Sequence, residues 1–430
     1  MRTINVGLIG LGTVGSGVVE IVRRHGDHYL ARAGVDIRLT RYADADEQRF
    51  EDLGLPAASC ATDWRTVVDD PDVDIVIELI GGTGVAHEVV IAALDAGKSV
   101  VTANKALMAS AGKEVMDHAA AQGVDIAFEA SVGGGIPIIG PLKHSLTSNE
   151  IQSVMGIVNG TTNYMLTRMA EDGLDYDTAL AEAQAKGFAE ADPTADVDGL
   201  DAAAKIAILA SIAFNSRVTL EQVPTEGIRS LTPLDIEYAE EMGYAVKLLA
   251  IARRTESGVD IRVHPTLMPA SHPLAGVNGV YNAIYVVGDS VGETMFFGEG
   301  AGSLPAASAV VGDVIEVARH LAKNCLGFVG CTCTEQLPVR DIADLETAYY
   351  IRLEVIDQPG VLAATSKVFA DNVVSLASVI QKAEAGRGEI VDLVYVTHRA
   401  SERAVRESLA EIAALPTVRA VGTVLRAEDL

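Results

Sequence analysis

Near its amino terminus the chain reads Ile4-Asn5-Val6-Gly7-Leu8-Ile9-Gly10-Leu11-Gly12-Thr13-Val14-Gly15. Ile4, Val6 and Leu8 alternate with Asn5 and Gly7, the period of a short strand. The glycines that follow have the spacing G-x-G-x-x-G, and Val14, Val18, Ile21 and Val22 then fall on one face of a helix that starts inside the motif. Strand, glycines and helix in that order predict a dinucleotide cradle. The first glycine permits the tight turn, the second lets a pyrophosphate approach the backbone, and the third lets helix and strand pack closely beneath the helix amino-terminus. The plainer alternative is a glycine-rich turn in the same kind of sheet with no ligand.

Further strand candidates at 37–42, 73–79, 99–102 and 124–128 alternate with helical stretches. Repeated βα units of this kind predict a Rossmann-type, doubly wound parallel α/β sheet. The second strand runs into Asp44, an acid placed to hydrogen-bond an adenosine ribose, and 43–47 contains no cation. That leans toward NAD over NADP, although Asp44 lies farther from the glycines than about 20 residues and Arg41 or Arg49 could reach a 2′-phosphate.

The 430 residues divide into about three domains at about 150 each. An apolar content of 49% supplies a large aliphatic core. Lysine and arginine number 33 against 59 acids, a net charge of −26, which argues against nucleic acid or an anionic membrane as partner. The acidity is local: 171–201 holds ten acids against the single Lys186, whereas the chain from Thr347 onward carries 11 acids against 9 bases. Four cysteines, Cys60, Cys325, Cys331 and Cys333, are too few for a disulfide framework. Neither an export signal nor an apolar run of about 18 residues is expected, so the cytoplasm is the expected location. A metal on Cys331 and Cys333 lacks further ligands at zinc spacing.

Thr102-Ala103-Asn104-Lys105 follows a strand at the carboxyl edge of the expected sheet, which places Lys105 near a cofactor; a solvated surface lysine is the alternative. Glu129-Ala130-Ser131-Val132-Gly133-Gly134-Gly135-Ile136-Pro137 is either a sharp turn between domains or a loop whose oxygens hold a hard cation. Asn159-Gly160-Thr161-Thr162-Asn163-Tyr164 is dense in amides and hydroxyls suited to capping a helix or orienting a polar ligand.

The stretch Lys186-Gly187-Phe188-Ala189-Glu190-Ala191-Asp192-Pro193-Thr194-Ala195-Asp196-Val197-Asp198-Gly199-Leu200-Asp201 is expected to be a loop through Pro193, with Asp198 capping a buried helix that runs to Phe214. Asp201 and Lys205 then share one face of its first turns. An exposed helical ion pair is the alternative, but the following Ile206-Ala207-Ile208-Leu209 argues for burial. Glu190, Asp196 and Asp201 suit an ammonium group, and Lys205 suits donation of a proton to a carbonyl that NAD(P)H reduces.

With these residues in view, the chain closely resembles homoserine dehydrogenase along essentially its whole length. The Gly187-Phe188-x-Glu190 to Lys205 segment is the most specific element, and the 10–15, 103–105, 133–137, 159–164 and 298–302 segments agree in order. The resemblance implies reduction of L-aspartate 4-semialdehyde to L-homoserine on the route to threonine and methionine. It matches Lys105 and Lys205 to catalytic lysines, Glu190 and Asp201 to amino-acid ligands with Asp196 beside them, and Gly302 to a loop near the nicotinamide. Glu129 and the backbone of Val132, Gly134 and Ile136 match a sodium or similar monovalent-cation site. Ala43 and Glu47 stand where many relatives have cations suited to a 2′-phosphate, which again favours NAD. A homodimer or homotetramer is implied.

After a polar linker at 338–346, alternation at Ile351, Leu353 and Val355 leads into Asp357-Gln358-Pro359-Gly360, a helix with Leu362 and Phe369, a strand pair turning at 385–388, a second helix and a last strand at 418–425. This βαββαβ order resembles the ACT domain. It implies an amino-acid effector, threonine, near Asp357, Gly360, Val361 and Leu362; a dimerising module that binds nothing is the alternative. The expected division is 1–136 plus about 305–335 for the nucleotide domain, 137–304 for an α+β substrate and dimerisation domain, and 347–430 for the ACT domain. Two rival functions are an aspartate semialdehyde dehydrogenase, which needs a cysteine nucleophile absent from any recognisable motif here, and a non-catalytic dinucleotide and amino-acid sensor, which would not need both lysines.

Overall fold

Apolar side chains on both faces mark the strands of a parallel sheet covered by helices. In the computed structural model, which describes residues 3–327, 330–381 and 390–428, the fully buried Ile4, Val6 and Leu8 occupy the strand Thr3–Ile9. This strand pairs in parallel with Asp36–Ala43 on one side and Ile75–Glu78 on the other. Two flanking pairs complete the order Cys60–Ala61, Asp36–Ala43, Thr3–Ile9, Ile75–Glu78, Ser99–Thr102, Ile126–Ala127. The direction of winding reverses between Thr3–Ile9 and Ile75–Glu78, which puts the Gly10 loop at the switch point where open α/β sheets bind ligands.

The helices Thr13–Ala33 and Ser303–Ala322 cover this sheet, with Val18 and Val19 in one core with Ala307, Val310, Val311 and Val314. Full burial of each valine contributes about 1.5–3 kcal/mol. Ser303 Oγ donates to the Thr13 carbonyl at 2.6 Å, tying the start of one helix to the start of the other. This first unit comprises Met1–Val158, Ala204–Gln222 and Tyr281–Leu337. It also holds an antiparallel set of Gly292–Glu299, Tyr281–Gly288 and Ile151–Ile157.

The second unit comprises Asn159–Ala203, Val223–Val280 and Pro338–Leu430. The hairpin Tyr244–Thr255 and Gly258–Pro269 is its centre. The last strand, Val418–Ala427, runs parallel to Gly258–Pro269 through Arg426 opposite Thr266 and Ala427 opposite Leu267. Beyond it lie Glu346–Ile356, Ile390–Thr397 and Leu376–Ile380. The carboxyl-terminal βαββαβ segment extends the hairpin's sheet while enclosing its own core, in which Ile351, Leu353, Phe369, Val405 and Ile412 pack together. The linker is also ordered: Val259 donates to the Pro338 carbonyl and Arg340 N to that of Val259, both at 2.9 Å. The turn expected at 385–388 lies outside the described residues. Among the described residues no helix is long and apolar enough to cross a membrane.

Buried charge is paired within this second unit. Arg352 donates to Asp235 at 2.8 Å and to Asp392 at 3.0 Å. Burial alone would raise the Asp235 carboxyl, but hydrogen bonds from Arg352, Thr232 and Thr423 outweigh it and hold the group below the ordinary range.

Candidate active site

The glycine loop has the geometry a dinucleotide needs. Gly10 has φ +95°, and a Cβ there would lie 2.6 Å from the Leu79 carbonyl carbon; a Cβ on Gly15 would lie 2.0 Å from the Gly10 oxygen. Both positions exclude any side chain. At Gly12 the equivalent Cβ meets nothing within 4 Å, so that face of the loop is open. The cradle therefore packs tightly on the protein side and is open on the other, which fits a pyrophosphate over the start of the Thr13–Ala33 helix.

Asp44 sits at the end of the second strand as expected. One carboxylate oxygen accepts from Leu11 N at 2.6 Å and the other from Asp46 N at 2.9 Å, so Asp44 fixes the loop from the side. Arg41 is turned away to Asp70 and to the Ala58 carbonyl, and Arg49 lies 3.6 Å from Asp46. Arg41 is thereby committed, whereas Arg49 stays half exposed.

Lys105 is exposed at the first position of the helix Lys105–Gln122. Its loop is held rigidly: Asn104 caps the helix through Leu107 N at 3.0 Å and donates to the Gly82 carbonyl at 2.7 Å. The wholly buried Glu78 takes Thr102 Oγ1 at 2.7 Å and the Ile80 and Gly81 amides. Sequence reasoning missed Glu78; an acid closing an otherwise apolar strand was the available signal.

Glu129 N donates to Asp313 at 2.8 Å, while its carboxylate accepts the amides of Ile138, Ile139 and Gly140 at 2.5, 2.7 and 2.6 Å. The acid thus anchors the chain leaving the Gly133-Gly134-Gly135 loop. Gly134 approaches Gly300 so closely that a Cβ would lie 2.5 Å from its oxygen, and Gly135 N donates to Glu299 O at 3.2 Å. Gly302, at φ +121°, follows at the cap of Ser303–Ala322.

In the second unit, Asn159 has both of the uses weighed for its segment. Its Oδ1 caps the helix Gly160–Asp172 through Thr162 N at 2.9 Å. Its Nδ2 donates to Asp196 at 2.6 Å and to Asp201 at 3.0 Å, bringing two carboxylates together on one amide. Sequence reasoning did not foresee this bridge. Glu190 is exposed. The stretch is a loop through Pro193 as expected, followed by a one-turn helix, Thr194–Val197. One expectation is corrected. Asp198 does not cap the next helix: its carboxylate faces Arg229, 2.5 Å away, and Gly199 at φ +82° supplies the turn into Leu200–Ala213. Arginine competes successfully because it gives the carboxylate two charged donors.

Lys205 lies one turn after Asp201 on the Leu200–Ala213 helix and is buried. In the first unit its ammonium donates to the Val158 carbonyl at 2.7 Å, which fixes Nζ. Two of the four cysteines are held as poor nucleophiles, which does not suit an acyl-enzyme rival. Burial raises the Cys60 thiol, and burial together with Cys331 pushes Cys333 up to about 12.

The switch-point glycine loop, a buried lysine one turn after a paired carboxylate and the βαββαβ extension define an NAD(P)-dependent oxidoreductase with a regulatory-type module. Residues 10–129 match the family model described as the homoserine dehydrogenase NAD-binding domain, 137–315 that of homoserine dehydrogenase, and 349–414 the ACT domain. The chain is 42% identical to homoserine dehydrogenase of Bacillus subtilis, covering 100% of this chain and 99% of the relative. Against that of Synechocystis identity is 44%, with 99% of each covered. The crystal structure of a homoserine dehydrogenase from Thiobacillus denitrificans superposes with a TM-score of 0.94 at 44% identity over 100% of this chain and 99% of the other. A hyperthermophilic archaeal homoserine dehydrogenase in complex with NADPH gives 0.63 at 27% identity, covering 77% and 100%. The chain belongs to the homoserine dehydrogenase family, oxidoreductases that act on a CH–OH group with NAD(P).

Proposed function

We propose that the chain reduces L-aspartate 4-semialdehyde to L-homoserine, on the route to threonine, methionine and isoleucine, with Lys205 as proton donor. The observation that carries this reading is the Leu200–Ala213 helix, which bears Asp201, joined to Asp196 by Asn159, one turn before the buried Lys205. Two carboxylates held on one amide attract the substrate ammonium, with Glu190 as a further acid at the rim. The nicotinamide, when bound, supplies a hydride to the aldehyde carbon. Lys205 gives its proton to the developing alkoxide, and the Val158 carbonyl keeps the ammonium aimed. Lys105, on its rigid strand-end turn, flanks the reacting carbonyl and cofactor.

NAD is the favoured cofactor. Gly10, Leu11, Gly12, Thr13, Val14 and Gly15 would hold the pyrophosphate, Asp44 the ribose diol, and Gly302 would border the nicotinamide. The acids at 44, 46 and 47 repel a 2′-phosphate, and Arg41 is committed to Asp70. A monovalent cation such as sodium would sit at Glu129 and on the backbone of Val132, Gly134 and Ile136. Threonine is the proposed effector at the Asp357–Leu362 turn, where Gly360 at φ +97° caps a helix and Leu362 is exposed. The exposed edge strand Leu376–Ile380, and Phe297 and Tyr281 in the other unit, support assembly into a homodimer or homotetramer.

Oxidation of NADH and of NADPH followed with aspartate semialdehyde tests the reading. The expected result is turnover with both, better with NADH; no turnover with either would overturn it.

A further inference from the structure

Lys143 belongs to the short helical segment Pro141–Ser145, is 3% exposed, and its Nζ has no hydrogen-bond partner among the described residues. It lines a small cavity in the first unit with Met108, Phe128, Ile208, Arg217, Cys331 and Cys333, with room for about two water-sized occupants. The ammonium stands 5.2 Å from the centre of the Phe128 ring, a partial compensation for its lost hydration. Burial lowers its pKa to about 8, which leaves it charged at neutral pH.

Among the described residues lining the cavity there is no carboxylate. Asp313, which accepts the Glu129 amide at 2.8 Å, is not part of the lining. Cys333 is held as a neutral thiol by burial. Arg217 adds a second positive wall: one of its nitrogens is fixed on the carbonyls of Ala109 and Ser110 at 2.8 and 2.9 Å. A desolvated cation in a cavity whose lining also carries Lys113 and Arg217 and no carboxylate calls for a counter-ion from solution. The three cationic side chains of the lining, Lys113, Lys143 and Arg217, exclude a metal ion, and the small, largely apolar interior excludes a large polyvalent anion.

We propose that this cavity is a binding site for one small monovalent anion of halide size, held by the Lys143 ammonium, with Arg217 elsewhere in the lining. Ile208 and Ser211 of the Leu200–Ala213 helix form part of the wall. An anion there therefore braces the helix that carries Lys205.

Bromide is the probe. Crystals of the full chain grown in sodium bromide should show an anomalous peak in contact with Lys143 Nζ. In solution, replacing gluconate by bromide at constant sodium should raise the thermal midpoint saturably by about 1–2 °C. The rise should vanish in Lys143→Met. Bromide found only on the surface, an adventitious ion only, would overturn the proposal, as would a rise of equal size in Lys143→Met. If that variant does not fold, Arg217→Gln decides: at least a threefold weaker half-saturation is expected, and an unchanged one refutes the site.

Discussion

Arg426, on the last strand, grips Glu226 with two hydrogen bonds of 2.8 Å each. The same guanidinium reaches the buried Glu402 at 2.8 and 2.6 Å. Next to Glu226, Gly227 lies against the substrate loop so closely that a Cβ would be 2.2 Å from the Val197 oxygen, and Ile228 N donates to that same oxygen at 2.9 Å. The ACT segment thus holds the segment that braces Asp196. Glu226→Gln should weaken the proposed inhibition by threonine several-fold while leaving uninhibited kcat within about twofold, read from inhibition curves; an unchanged curve removes this route of coupling. Arg426→Met leaves the buried Glu402 with only Arg406 and the Tyr349 hydroxyl as donors and should cost about 1–3 kcal/mol in urea unfolding, part of it recovered by adding Glu402→Gln.

The glycine loop separates folding from binding. Gly10→Ala and Gly15→Ala force a side chain into backbone and should lower the thermal midpoint. Gly12→Ala meets open space, so its midpoint should stay near the parent's while KM for the dinucleotide rises at least tenfold. A Gly12→Ala enzyme with normal KM would remove the pyrophosphate from that face.

For Lys205→Ala, kcat should fall by about 10²–10⁴ with a smaller change in KM. Asn159→Ala separates the bridge from the proton: it frees Asp196 and Asp201 from their shared donor and should act mainly on the KM of the amino-acid substrate. Full turnover in Lys205→Ala would end the proton-donor assignment.

Cofactor choice should respond to Asp44. Asp44→Ser removes the repulsive charge but also weakens the bond to Leu11 N, so kcat/KM with NADH should drop while that with NADPH holds or rises. A parent enzyme that already uses NADPH as efficiently as NADH would contradict the preference.

Lys247 predicts an alkaline signature. Its ammonium donates to the Val277 carbonyl at 2.7 Å and to Asn278 at 2.8 Å, but burial lowers its pKa from 10.5 to about 8. Between those values the unfolded chain holds the proton more tightly than the folded one, so stability from this group rises with pH. The cost of charging it is complete below about pH 8 and gone above 10.5. Relative to Lys247→Met, the parent should gain unfolding free energy across that window; a flat difference would show that the group is not depressed.

Local patterns were enough for the nucleotide half. Alternation at Ile4, Val6 and Leu8, the glycine spacing and an acid after the second strand are set within a few residues, because strand period and the left-handed turn at Gly10 depend on nearest-neighbour sterics. The Leu200–Ala213 helix with Asp201 and Lys205 on one face was legible for the same reason. Asp198 was misread because its partner, Arg229, lies 31 residues away, and a local cap cannot be told from a distant ion pair by spacing alone. Asn159 joining Asp196 to Asp201, and Arg426 meeting Thr266 across the sheet and Glu226 through its side chain, are pairings of residues far apart in the chain. Such contacts form only when loop-closure entropy is offset by burial of whole elements. The sequence by itself determined the cradle and the chemistry-bearing helix; only the tertiary structure decided that the carboxylates converge on one amide and that the regulatory segment shares a sheet with the substrate half.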